Sequence, residues 1–116
     1  MKKLLLTIIS LVCLTAITYP ITVSWDPNTE TDLAGYTLHW GTTMGGPYPY
    51  SIDVNKVTTY TVSNTNFLFM KKYYMVATAQ NTSLLRSDFS NEISFTITND
   101  VKPTIVKAVK IITLKP

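Results

Sequence analysis

Residues 21–43 read ITVSWDPNTETDLAGYTLHWGTT, and the alternation inside this stretch decides the fold class. Ile21, Val23 and Trp25 occupy every second position with Thr22 and Ser24 between them. After a polar stretch, Tyr36, Leu38 and Trp40 repeat the pattern around Thr37 and His39. A period of two belongs to a strand with one face on a core and the other in water. It recurs in Tyr60-Val62, in Tyr73-Met75-Ala77-Ala79 and in Ile93-Phe95-Ile97, so the chain is expected to be an all-β antiparallel sandwich.

The punctuation agrees. In the loop Asp26 to Asp32, Pro27 bars ladder pairing and the Asp and Asn side chains favour local turns. Gly35 opens the second strand, Gly41 ends it, and Gly45-Gly46-Pro47 makes the next turn. Further strands are expected over Tyr50 to Val54 and Thr58 to Val62.

Together with TTYTV, YYMVATA and SDFSNEISFTI, the opening stretch resembles fibronectin type III domains, particularly those of bacterial secreted proteins. The resemblance covers Ile21 to Ile97 and implies an immunoglobulin-like sandwich. It also implies a structural core of Trp25, Tyr36, Leu38, Tyr73 and Phe95, with Trp25 the large central residue. Phe67 and Tyr73 are six positions apart, a spacing that resembles the tyrosine corner, where a phenol at the start of a strand bonds back to the preceding connection. The chain departs from the family in two places. Phe69-Met70-Lys71-Lys72 stands where a polar pair usually precedes the Tyr, and Ala77 stands where Val is common. A bulged corner with an apolar loop, Phe67 to Met70, is therefore expected. Nothing corresponds to the family's first strand, which leaves the edge beside Ile21 to Trp25 vacant, an aggregation hazard.

Ahead of the domain, Lys2 and Lys3 precede an uncharged, mostly apolar run from Leu4 to Ile17. That is the layout of a secretory signal peptide over 1–18, too short to span a bilayer comfortably. Cleavage is expected after Ala16 or Thr18, placing the product in the periplasm, at the cell surface or outside the cell with no stable membrane span. Cys13 leaves with the leader, so the remaining domain has no disulfide. The domain occupies 19–98 and a basic, strand-like tail 99–116. From Tyr19 to Asp100 four bases meet seven acids, a net of −3, whereas from Val101 onward four lysines meet no acid, a net of +4. An acidic body without a basic, aromatic-lined groove argues against nucleic acid as a partner.

Asp26, Asn28, Glu30 and Asp32 alternate like the first half of a calcium loop. Thr31 stands where an EF-hand needs Gly and Thr37 where it needs the closing Glu, so no metal site is assigned. In the resembled modules such a loop is a structural turn in which Asp32 would hold backbone amides. His39, the only histidine, faces outward if its neighbours face in, and the sequence offers no nucleophile elbow or thiol to accompany it. No catalytic residues and no cofactor are expected; the chain reads as a non-enzyme. Tyr48, Tyr50 and Tyr74 are the candidate ligand contacts, an aromatic platform for sugar rings or a protein surface, against the plainer reading that they pack as sandwich residues.

The function these features imply is a non-catalytic module at the cell exterior that contacts a protein or a polysaccharide. The alternative is a self-assembling subunit of a filament, virion or surface component, joined through Thr104 to Leu114. A weaker third is an accessory domain parted from a polysaccharide-degrading enzyme. The tail is β-branched and bracketed by Pro103 and Pro116, and it would fill the vacant edge in one of two ways. Pairing in trans would run antiparallel to Ile21 to Trp25, and direct folding back in cis would run parallel. A disordered remnant is the remaining reading.

Overall fold

The computed structural model describes residues 19–64, 67–98 and 104–109. The leader over 1–18, with Cys13, and the tail beyond residue 109 lie outside the described residues. These form β1 (Tyr19–Trp25), β2 (Leu33–Gly41), β3 (Tyr50–Val54), β4 (Thr59–Asn64), β5 (Lys72–Asn81), β6 (Ile93–Thr96) and β7 (Thr104–Val109), with no helix among them. The fold is all-β, two sheets packed as a sandwich: β3-β2-β5-β6, antiparallel throughout, and β4-β1-β7, which is mixed. Among the described residues no helix is long and apolar enough to cross a membrane.

The core is what the alternation dictates. Ile21, Val23 and Trp25 of β1 face Tyr36, Leu38 and Trp40 of β2, Val62 of β4, Tyr73, Met75, Ala77 and Ala79 of β5, and Ile93 and Phe95 of β6 in one buried cluster. On the inner face of the four-stranded sheet, Tyr36 lies opposite Ala79 and Leu38 opposite Ala77. Small side chains beside large ones let both rows fill the space between the sheets without overpacking, which is the physical use of Ala77. Trp25 meets Tyr36 edge-on at 5.4 Å. The indole N–H groups of Trp25 and Trp40 are buried with no acceptor among the described residues, so burial of the rings outweighs a penalty of about 1–3 kcal/mol each.

Two ends of the sandwich follow from the registers. Tyr19 pairs with Asn64, Lys72 with Thr96, and Gly41 with Tyr74, so the start of β1 and β5 and the end of β2, β4 and β6 share one pole. This is the near pole. The loops after Trp25 and after Asn81 lie at the far pole. There β2 begins at Leu33, two residues earlier than the expected Gly35, and its register shifts between them. Gly35 sits at that irregularity because a Cβ would come within 2.7 Å of the Val54 carbonyl oxygen.

The tail occupies the vacant edge, and it does so within its own chain. β7 pairs parallel to β1, Ile21 against Thr104 through Trp25 against Val109, with one irregularity. β6 ends at the near pole, so a chain that turns over immediately must descend alongside β1 in the same direction. Within the single chain the strand is supplied in cis and runs parallel to Ile21 to Trp25, as direct folding back requires, and its described part stops at Val109, short of Leu114.

Candidate binding face

The tyrosine corner is formed at the near pole. Tyr73 points inward, stacks on Phe95 at 5.8 Å, and its phenol oxygen accepts the Leu68 N–H at 2.7 Å. Phe67, expected in an apolar loop, is instead fully buried among Trp40, Tyr73 and Phe95 at 5.0–5.8 Å. Leu68, Phe69 and Met70 are exposed.

The outer face of the four-stranded sheet is less solvated than an alternating pattern implies, because the β5–β6 connection folds back across it. Val76 and Thr78 of β5 point outward yet are buried. Residues 86–90 run beside β5 as an irregular extension of β6. Ser87 N–H donates to the Ala79 carbonyl and the Ala79 N–H donates to Ser87 Oγ, both at 2.9 Å. Ser90 repeats the arrangement on Ala77, at 2.8 Å each way. Each serine thus serves both backbone groups of one β5 residue. Because the serines are three apart while Ala77 and Ala79 are two apart, the extra residue bulges and Phe89 is presented on the outer face.

Phe89 is half exposed but held. His39 meets it edge-on at 5.4 Å and Tyr48 does the same at 5.4 Å from the other side. The Tyr48 hydroxyl donates to Glu92, whose carboxylate also accepts the Gly45 N–H at 2.8 Å. Burial first, then the Glu92 hydrogen bond and charge, push the Tyr48 phenol up to about 12, so it remains a donor across the physiological range. Gly41 allows this loop to lie over the sheet, since a Cβ there would meet the Pro47 carbonyl oxygen at 2.6 Å. Beside the aromatics, Thr37 donates to Asp53 at 2.7 Å, Arg86 donates to Thr37 at 3.2 Å, and His39 Nε2 shares a hydrogen with the Thr78 hydroxyl at 2.9 Å. Burial and then Arg86 lower the His39 pKa, with Asp53 opposing, so the ring is neutral at pH 7. Thr78, the hydroxyl partner of the ring, is buried.

The three candidate tyrosines do not form one platform. Tyr48 lies on the outer face with Phe89, and Tyr74 points to the same face, with Lys72 Nζ at 5.6 Å from its ring centroid. Tyr50 pairs with Trp40, stacks on it at 6.0 Å, and therefore lies on the inner side at the rim. It lines a shallow cleft of about 300 Å³ with Thr42, Pro49, Leu68, Lys71 and Tyr73. Sequence reasoning assigns no role to Phe89 or Ser87 and reads Ser90 and Glu92 only as part of the SDFSNEISFTI stretch that carries the family resemblance; the Ser-x-x-Ser spacing is the further signal that marks the two serines.

The far-pole loop is a structural turn in which Asp32 holds a backbone amide through its carbonyl and a side-chain amide through its carboxylate. The Asp32 carboxylate accepts the Asn81 side-chain amide at 3.0 Å, its carbonyl accepts the Thr82 N–H at 2.9 Å, and the Tyr36 phenol accepts the Asn28 N–H at 2.9 Å. Among the described residues no three His, Cys, Asp or Glu side chains converge as a metal would require. Set against models of known protein families and against curated proteins, the chain matches none.

Proposed function

We propose that the chain is a non-catalytic module of fibronectin type III kind, exported to the periplasm or cell exterior, that holds a protein or polysaccharide on the outer face of its four-stranded sheet. The observation that carries the proposal is Phe89: a large apolar ring, half exposed, clamped between His39 and Tyr48 on a hydrogen-bonded sheet. An aromatic anchor that is already ordered loses little conformational entropy on binding, which is the property of interface hot spots. Asp53, Arg86 and Glu92 around it supply a polar rim. The corner at Tyr73 and the β3-β2-β5-β6 order support the kinship, and the leader sequence supports export.

The test is binding of the purified protein to arrayed glycans and to isolated cell-surface protein. Phe89→Ala should weaken whichever contact is found by at least about tenfold, with an unchanged denaturation midpoint. Wild-type affinity in that variant would remove the outer face from the reading.

The second reading, self-assembly through the C-terminal strand, is favoured by one observation. Among the described residues β7 pairs only with β1 and in parallel, slightly weaker per residue than antiparallel, and could be exchanged with a second copy. A mass of one chain by size exclusion at all accessible concentrations would dismiss it.

A further inference from the structure

We infer that the near pole is a contact surface for an anionic lipid bilayer, with Leu68, Phe69 and Met70 as the inserting tip and Lys71 and Lys72 at headgroup level. The tip lies at the near pole, away from Phe89, and shares Lys72 with the outer face, where its Nζ lies over the Tyr74 ring; the two readings are tested by different variants, Phe69→Trp here and Phe89→Ala there. Leu68 is 58% exposed, Phe69 46% and Met70 69%, and across the cleft Met44, on the turn that follows Thr43, is 71% exposed. Three consecutive large apolar residues in water are uncommon on a soluble domain.

The tip is built. Met70 has φ +62°, a left-handed conformation that is unfavourable for a bulky side chain. It is fixed there by backbone bonds from Met70 N–H to the Ile97 carbonyl at 2.7 Å, from Lys71 N–H to Leu68 at 3.2 Å, and from Ile97 N–H to Lys71 at 3.0 Å. The strain is held in place by Ile97, the residue that follows β6, and its result is an ordered turn that projects apolar side chains.

Charge selects the occupant. Lys71 and Lys72 follow the tip directly, while Asp26, Glu30 and Asp32 belong to the loop at the opposite pole. The far pole exposes Leu84 and Leu85 as well, but on a turn bonded to Asp32, where a negative surface would repel it. Glu92, whose carboxylate accepts the Gly45 N–H beside Met44, is spoken for by that bond and by the Tyr48 hydroxyl, and the apolar wedge with its directly adjacent lysines is oriented for a negatively charged membrane. Chain connectivity agrees. β1 starts at the near pole, so residues 4–17, the apolar leader run, are joined to the body at this end. While the leader is attached to a bilayer, this pole is the one beside it.

The experiment uses the full chain carrying Phe69→Trp, with vesicles of phosphatidylcholine and phosphatidylglycerol whose acyl chains carry bromine. Trp25 and Trp40 are buried, so any quenching beyond that of the unsubstituted chain reports the new indole entering the bilayer. Extra quenching is expected with the anionic mixture, weakening as salt is raised. Adding Lys71→Gln and Lys72→Gln should lower the ratio of inserted to withdrawn tip by roughly 25-fold, from about fivefold per lysine. Leu68→Ser with Met70→Ser should return the signal to that of the unsubstituted chain. Three results would overturn the inference. They are quenching no greater than in the unsubstituted chain, equal quenching in phosphatidylcholine alone, and a blue shift of the introduced indole's emission with protein concentration in the absence of vesicles, which would assign the tip to a second copy.

Discussion

Ser90→Ala and Ser87→Ala should be among the most damaging changes at any polar residue of this protein. Each hydroxyl accepts a buried backbone N–H of β5 and donates to the next carbonyl in its own segment, Asn91 at 3.1 Å and Asp88 at 2.9 Å. Alanine keeps the Cβ and the serine's own N–H bond to β5, so neither cavity nor ladder explains the cost. What is lost is the acceptor for Ala77 or Ala79 N–H at a site closed to water, worth about 1–3 kcal/mol per group. Against a total stability of roughly 5–15 kcal/mol, one substitution removes a visible fraction. The two together need not add, since both sit on one segment. In urea, with a slope near 1 kcal/mol/M, the midpoint should fall by about 1–3 M for each. Ser90→Thr, which restores the hydroxyl, should recover part of it. Exposed Ser51→Ala and Ser94→Ala should stay within about 0.5 kcal/mol of the wild type. Hydrogen exchange should show Ala77 or Ala79 losing protection in the matching variant. Buried serines no more costly than the exposed ones, with both amides still protected, would refute the assignment of the hydroxyls as ladder acceptors.

Trp25→Ala should unfold the domain or cost about 3–5 kcal/mol by chemical denaturation, whereas Trp25→Phe should cost clearly less, since it also removes an unpartnered indole N–H. Tyr73→Phe, losing the acceptor for Leu68 N–H, should cost about 1 kcal/mol, and equal effects of Trp25→Ala and Tyr73→Phe would contradict the packing described. The lowered His39 pKa has a definite sign: below the ordinary value of 6.5 the unfolded chain binds the proton first, so stability falls as pH drops from about 6.5 to the folded-state pKa and is unaffected above. His39→Gln should remove that part of the acid sensitivity, which denaturant midpoints of the two proteins from about pH 7.5 to about 5 would read. Deleting Val101 to Pro116 should lower the thermal midpoint and the amide protection of Ile21 to Trp25, and unchanged values of both would mean that β7 does not complete the sheet.

Alternation along the chain was enough to place the strands. Residues of period two bury one face whatever they pack against, and Tyr50 to Val54 lies in β3 as that pattern requires. The same logic makes Trp25, Leu38 and Tyr73 interior, because only the core can take such large apolar side chains out of water. The outer face followed another rule. There burial of Val76 and Thr78 depends on a segment about ten residues away folding back, and a spacing of three on that segment meets a spacing of two on β5 only through a bulge that no local pattern announces. Phe67 and Phe69 are alike in sequence and two apart, yet one plugs the core and the other meets solvent, because the left-handed turn at Met70 and its bond to Ile97 decide where the chain leaves the interior. The tail is the clearest division. Its β-branched composition marks a strand, but composition carries no direction. Parallel pairing with β1 follows from where β6 ends, a fact of three-dimensional connectivity, since a strand that turns back at once can only run the way its neighbour already runs.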